Sequence, residues 1–140
     1  MVVLALFAAA CDNPLSPTDD LEEARRKWRR EGISTYSFTV TQSCFCVEDA
    51  RGPFRVTVSG GAVVSVTDPA SGAPRAVSEF VPLTVEALFD RVQMAIDDDD
   101  ELDVRYDADL GYPRRIEINL SQQPVDGGLE IEASGLTPIR

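Results

Sequence analysis

Tyr36-Ser37-Phe38-Thr39-Val40-Thr41-Gln42-Ser43-Cys44-Phe45-Cys46 is the stretch on which the fold turns. Large apolar residues at 36, 38 and 40 alternate with small hydroxyl residues at 37, 39 and 41. A period of two puts one set on each side of a strand, so one side is buried and the other is wet. Strands of a parallel sheet are covered on both sides and read as unbroken apolar runs, so this pattern points to an antiparallel sheet. The same parity, carried forward, sets Cys44 and Cys46 on the apolar side.

Upstream, Leu21, Ala24 and Trp28 recur at spacings of three and four, the signature of a helix with one buried stripe. Thr18 or Asp19 is expected to cap it, and Gly32 to stop it after about Glu31. Its other side carries Glu22, Glu23, Arg25, Arg26, Lys27, Arg29 and Arg30. Glu22–Arg26 and Glu23–Lys27 have the spacing of helical ion pairs, each worth only ~0.2–0.5 kcal/mol. The basic run reads either as a salt-bridged, solvated face or as a contact for lipid headgroups.

Downstream, Phe54-Val56-Val58 and Ala62-Val64-Val66 alternate as two further strands. A two-residue Gly60-Gly61 loop would send their apolar residues to opposite sides. A three-residue loop, Ser59-Gly60-Gly61, pairs Val56 with Val64 and keeps them together. Asp68 to Pro82 reads as a long surface connection. Thr84 then caps a helix to about Asp97, with Leu83 and Leu88 placed for a hydrophobic staple and Val85, Leu88, Phe89, Val92 and Ile96 as its stripe. Leu102-Val104-Tyr106, Ile116-Ile118-Leu120 and Leu129-Ile131-Ala133 complete the chain, with turns at Asp109–Pro113 and Asp126–Gly128. The expected fold class is α+β, in the order α-β-β-β-α-β-β-β: an antiparallel sheet with two helices packed on one face. The equal halves raise the suspicion of a duplication, although no repeat is visible residue by residue.

The chain has 140 residues, 44% apolar and 26% charged, close to the ~45–50% and ~25% of ordinary globular domains. One core of ordinary size is expected for such a length. The formal net charge is −11 and there is no histidine. Such acidity argues against nucleic acid and anionic lipid as partners, since both need clustered Lys and Arg. The missing histidine removes the Ser-His-Asp triad, histidine-ligated zinc and haem.

Residues 1–10 read as a signal peptide. Val2 to Ala10 is an apolar run of nine residues, short of the ~20 that cross a bilayer but right for a secretory signal. Ala8-Ala9-Ala10-Cys11 is similar to a bacterial lipobox, whose cysteine is lipidated. Ordinary signal peptidase would cut at the same bond, and a buried N-terminal strand is the remaining alternative. Residues 11–20 then form an anchor cysteine and flexible tether, and 21–140 a single domain. The protein is expected to be exported to the cell envelope and held to a membrane through lipid at Cys11.

Several motifs stand in a recognisable order: Trp28, Tyr36-Ser37-Phe38, Cys44-Phe45-Cys46, the Gly60-Gly61 hairpin, Thr84-Val85-Glu86-Ala87-Leu88-Phe89, and Tyr106-Asp107 through Arg115-Ile116. Together, over about residues 21–135, they resemble a family of uncharacterised bacterial lipoproteins, domain of unknown function 6174. The resemblance implies an exported, usually lipid-anchored small domain with no established activity, and transfers no catalytic residue.

The residues that could carry chemistry divide into three groups. Cys44 and Cys46 are left as an even pair once Cys11 is lipidated, which favours a disulfide in an oxidising compartment; buried free thiols, or a redox or metal role, are the alternatives. In a regular strand their Cα atoms would stand about 6.5–7 Å apart, at the limit for a disulfide, so a bond requires the strand to end or bulge there. Asp97-Asp98-Asp99-Asp100-Glu101, and Asp107 with Asp109, attract cations. Calcium, however, takes about six to eight oxygens from a shaped loop, and the run sits at a helix C-terminus, where negative charge is disfavoured and the end should fray. No metal and no cofactor is expected. Asp107, Tyr112, Arg114 and Arg115 form the densest polar-aromatic group and are the candidate binding site; the plainer reading of Gly111-Tyr112-Pro113 is a turn. The expected function is a non-catalytic envelope lipoprotein domain that binds a protein or small ligand. The alternative is an envelope enzyme or redox protein using carboxylates or the Cys pair.

Overall fold

The computed structural model describes residues 16–120 and 128–139. Residues 1–10, expected as a signal peptide, Cys11 and the first part of the expected tether lie outside these residues, as do Asp126 and Gly127. The element order is α1 (Pro17–Glu31), β1 (Tyr36–Ser43), a 3₁₀ turn (Glu48–Ala50), β2 (Phe54–Ser59), β3 (Ala62–Thr67), α2 (Val85–Asp97), β4 (Leu102–Tyr106), β5 (Pro113–Ile118) and β6 (Leu129–Pro138). All six strands form one antiparallel sheet in the order β3-β2-β1-β6-β5-β4. Both helices share one core with a single side of it. The α+β architecture expected from the alternation is therefore the one present. Among the described residues no helix is long and apolar enough to cross a membrane.

Helix α1 starts earlier than expected. Ser16, not Thr18 or Asp19, is the N-cap, its hydroxyl accepting from Asp19 N–H at 3.2 Å. Pro17 fills the first helical position, where its missing N–H costs nothing. Pro17 to Asp20 thus belong to the helix rather than to the tether. The i,i+4 ion pairs do not form either. Lys27 donates to the Ala108 carbonyl, and Arg25 pairs with Asp90 on α2 at 3.5 Å. Both cations are drawn to tertiary partners, which a helix read in isolation does not show.

The β2–β3 hairpin satisfies its register in a different way. Gly60 and Gly61 form a two-residue turn, both with left-handed φ (58° and 80°), as a tight hairpin turn requires. Ser59 pairs with Ala62 and Val58 with Val63, but Thr57 pairs with Ser65, leaving Val64 as the extra residue of a bulge. Val56 therefore faces Val66, not Val64. The constraint that apolar residues share a side holds; a bulge meets it instead of a longer loop. In the second half, β5 ends at Ile118 and Leu120 is exposed, while Ala95 rather than Ile96 is fully buried in α2.

The two halves repeat in order only. Shifting β3-β2-β1 onto β6-β5-β4 keeps the left-to-right order and the helix side but reverses every strand. Only a mirror does that, and no rotation superposes the halves. The arrangement is not that of an internal duplication.

Two contacts hold α2 in place. Tyr36 on central strand β1 is buried, its ring 5.5 Å from Trp28 and 5.6 Å from Phe38. Its hydroxyl accepts the N–H of Val85, the first residue of α2, at 2.8 Å, and Thr84 accepts from Ala87 at 3.0 Å. At the other end, Asp99 takes a left-handed φ of 53°. Asp99 N–H bonds Ile96 O at 3.1 Å and Asp100 N–H bonds Ala95 O at 2.9 Å, the pairing of a Schellman cap. Asn119 Oδ1 accepts from Glu101 N–H at 2.9 Å while its amide donates to Asp100 Oδ1 at 3.0 Å. The acidic run therefore closes the helix in an ordered cap, where fraying was expected.

These contacts yield two predictions. Tyr36→Phe leaves the Val85 N–H buried without an acceptor and should cost about 1–3 kcal/mol in urea unfolding. Burial pushes the hydroxyls of Tyr36 and Tyr106 up to about 12, whereas an unfolded tyrosine ionises near 10. The folded state favours the protonated form, so this stability is complete below pH ~10 and lost as pH rises towards ~12. Tyr36→Phe should flatten that alkaline fall. Asp99→Gly removes both left-handed strain and a negative charge at a helix C-terminus, and should stabilise by about 0.5–1 kcal/mol; an unchanged or lower midpoint would contradict the capping assignment.

Candidate functional site

The core-side residues of β1 run Tyr36, Phe38, Val40 and then Gln42. The first three are apolar and wholly buried; the fourth is a glutamine only 6% exposed, the one buried polar residue among those described. Its main chain is satisfied by Arg51 O, which accepts its N–H at 2.7 Å. Its side-chain amide makes a single contact among the described residues, Nε2 to Cys44 Sγ at 3.6 Å. Sulfur is a weak acceptor, so most of this amide's hydrogen-bonding capacity is unused.

A groove of about 480 Å³ opens beside Gln42. One wall is the connection before α2, with Phe80, Val81 and Pro82. The other is the side of α2 bearing Ala87, Asp90, Arg91 and Met94, with Leu129 at the start of β6. The connection is pinned by Ser78 N–H to Asp49 O at 2.8 Å and by a turn closing Val81 onto Ser78 at 3.1 Å. Val81 is buried as its anchor, which leaves Phe80 80% exposed and Met94 55% exposed. Glu79, Asp90 and Arg91 supply the charge of the lining. This is an apolar trough with one buried amide at its base.

The group Asp107, Tyr112, Arg114 and Arg115 is brought together only in part. Asp107 Oδ1 accepts from Asp109 and Leu110 N–H at 3.0 and 2.8 Å, forming the turn. Tyr112 is a core residue, 6.4 Å from Trp28, and burial raises its hydroxyl, with Asp107 adding to the rise and Arg114 opposing it. Gly111, at φ 85°, lies so close to α1 that a Cβ there would meet Ala24 O at 2.7 Å. The segment is a turn docked on α1. Arg114 is exposed at a bulge opposite β4. Arg115 is on the helix-free side of the sheet, with its guanidinium 2.8 Å from Glu117 and 3.0 Å from Glu130. Glu130, followed by Glu117, raises the Arg115 pKa. There Asp103, Glu117 and Glu130 stand in one cross-strand row, and Arg115 offsets the like charges.

Among the described residues, no three His, Cys, Asp or Glu side chains converge as a metal site. Residues 20–138 match a family described as a family of unknown function, DUF6174. The chain belongs to this family. No curated protein and no solved structure matches it.

In this DUF6174 domain β1 ends at Ser43, one residue before the cysteines. The parity expected to carry on to Cys46 stops there. Cys44 and Cys46 form a close pair with Cα atoms 5.3 Å apart, inside the range a disulfide spans. The chain closes into a tight loop with Phe45 at its tip, 90% exposed, and Arg51 Nε donates to Cys46 O at 2.9 Å. Gln42 was legible as a break in the apolar stripe. Running the parity from Val40 straight to the cysteines passed over it.

Proposed function

We propose that this DUF6174 domain is an exported, lipid-anchored, non-catalytic binding module that takes its ligand in the groove over Gln42. The Gln42 amide at the base of the groove carries the reading. Its one contact among the described residues is weak, so a ligand entering the groove finds hydrogen-bonding capacity there. A polar residue at the end of an otherwise apolar stripe breaks the local pattern, and such breaks are expected at functional sites. Exposed Phe80 and Met94 beside it give a ligand apolar contact. The anchor reading is supported by the apolar run Val2–Ala10, the small residues before Cys11, and the position of Ser16 as the helix cap, a few residues beyond. The partner is a small ligand or a protein of the envelope, and neither cofactor nor nucleic acid is needed.

The test is Gln42→Leu, a change of similar volume. It should leave the fold intact and change the unfolding free energy by less than about 1 kcal/mol, since the amide makes only one weak contact among the described residues. A loss of about 2 kcal/mol or more would make Gln42 a structural residue. Expressed from its gene, the native protein should partition into detergent and carry acyl chains on Cys11, and Cys11→Ser should move it to the aqueous phase. Unfolded without reductant, the same protein should show no free thiol, because Cys44 and Cys46 are joined. An unmodified aqueous form would mean plain secretion, and two titratable thiols would remove the disulfide.

A further inference from the structure

We propose that two copies of this chain pair through the free edge of β4, antiparallel about a twofold axis at Val104, so that Asp103 of each copy meets Arg105 of the other and the two sheets join into one. The pairing does not depend on the groove.

The two edges of the sheet differ. Strand β3 is closed over: Arg75 N–H donates to Val66 O at 3.1 Å, Thr67 forms a bridge with Pro74, and Val64 is bulged. Strand β4 is open. At its ends Glu101 O accepts from Asn119 N–H and Asp107 N–H donates to Tyr112 O, both on the β5 side. Main-chain groups along a strand alternate in direction, so those of Leu102, Val104 and Tyr106 point away from β5. Among the described residues no other main-chain group bonds to them. Their side chains are half-buried and line a cavity of about 170 Å³ beside Pro17 and Asp20. An edge of unpaired N–H and C=O groups is completed by another strand.

The charges select which strand. Asp103 and Arg105 are exposed on the helix-free side, and each stands across from a like charge of β5, Asp103 from Glu117 and Arg105 from Arg115. Neither makes an ion pair among the described residues. Charges on an edge ordinarily deter pairing, but Leu102-Asp103-Val104-Arg105-Tyr106 is complementary to its own copy. With Val104 opposite Val104, both Asp103–Arg105 pairs are of opposite sign. They fall at the non-hydrogen-bonded positions, where facing side chains stand closest. Leu102 then lies against Tyr106 on the core side. Sliding one copy by two residues either way sets Asp103 against Asp103 or Arg105 against Arg105, so one register is favoured. The interface is isologous and closes at two copies. The net charge of −11 opposes the association of any two copies, and salt relieves that repulsion.

The experiment is sedimentation equilibrium at about 0.15 M salt and up to about 1 mM protein. It uses the full chain carrying Cys11→Ser, so that neither acyl chains nor a bond at Cys11 joins two copies. A reversible monomer–dimer equilibrium is expected, with amide exchange at Leu102, Val104 and Tyr106 slowing as concentration rises. Arg105→Asp and Asp103→Arg should each weaken self-association by about tenfold or more, because two attractive pairs become repulsive. Each keeps the fold, since the new side chain faces an opposite charge on β5. Mixed together, the two variants should pair with one another. A chain that stays monomeric, a dimer that neither change weakens, variants that fail to pair when mixed, or growth beyond a dimer overturns the proposal. Slow exchange at these three amides that is independent of concentration would put a segment of the same chain on the edge, and overturns it as well.

Discussion

The Tyr36 hydroxyl accepting the Val85 N–H is the contact through which the sheet and both helices of this domain meet. Its ring lies against Trp28 of α1, its backbone is part of the central strand, and its oxygen takes a donor from the first turn of α2. A helix N-terminus has orphan N–H groups that need partners. Thr84 meets one and Tyr36 another, from opposite directions, which fixes both where α2 starts and how far it stands from the sheet. Trp28 adds a bond from its indole N–H to Glu86 at 3.1 Å, so α1 also grips that first turn. With both helices referred to one residue of β1, the rest of the core has little freedom to slide.

The same strand explains the groove. Tyr36, Phe38 and Val40 give α1 and α2 an apolar floor; two residues on, Gln42 gives none. Toward Gln42 the trough is walled by the connection before α2 and by one side of α2, not by a continuous core. The strand thus holds the fold with one end and presents an amide at the other. The acidic cap at Asp97–Asp100 is part of this economy, since it lets α2 end cleanly and turn back into edge strand β4.

The order of elements was legible because it depends on local periodicity. Tyr36-Phe38-Val40, Leu21-Ala24-Trp28 and Thr84 with Val85-Leu88-Phe89-Val92 each declare their structure within a dozen residues. What could not be read is whatever depends on residues far away. Lys27 leaves Glu23 for the Ala108 carbonyl, and Arg25 leaves its own helix for Asp90. Whether the β2–β3 hairpin closes by a three-residue loop or by a tight turn plus a bulge at Val64 is decided by docking, with Gly61 N–H bonded to Ser34 O at 2.9 Å. The expected site around Asp107 and Tyr112 resolved into a turn on α1 because a dense polar-aromatic cluster marks turns as readily as sites. The groove needed Phe80, Met94 and Leu129 from three separate segments, and only its Gln42 base had a local signature.

Residue-level hydrogen exchange at Val85 tests this account most directly. Amides in the first turn of a helix ordinarily exchange fast, because no intrahelical acceptor holds them. If Tyr36 fixes α2 to the sheet, the Val85 N–H should exchange only through global unfolding, at the slow rate shared by the amides of β1. Exchange at the rate of an unprotected first-turn amide would show that α2 is not held by this bond, and the organisation built on it would fail.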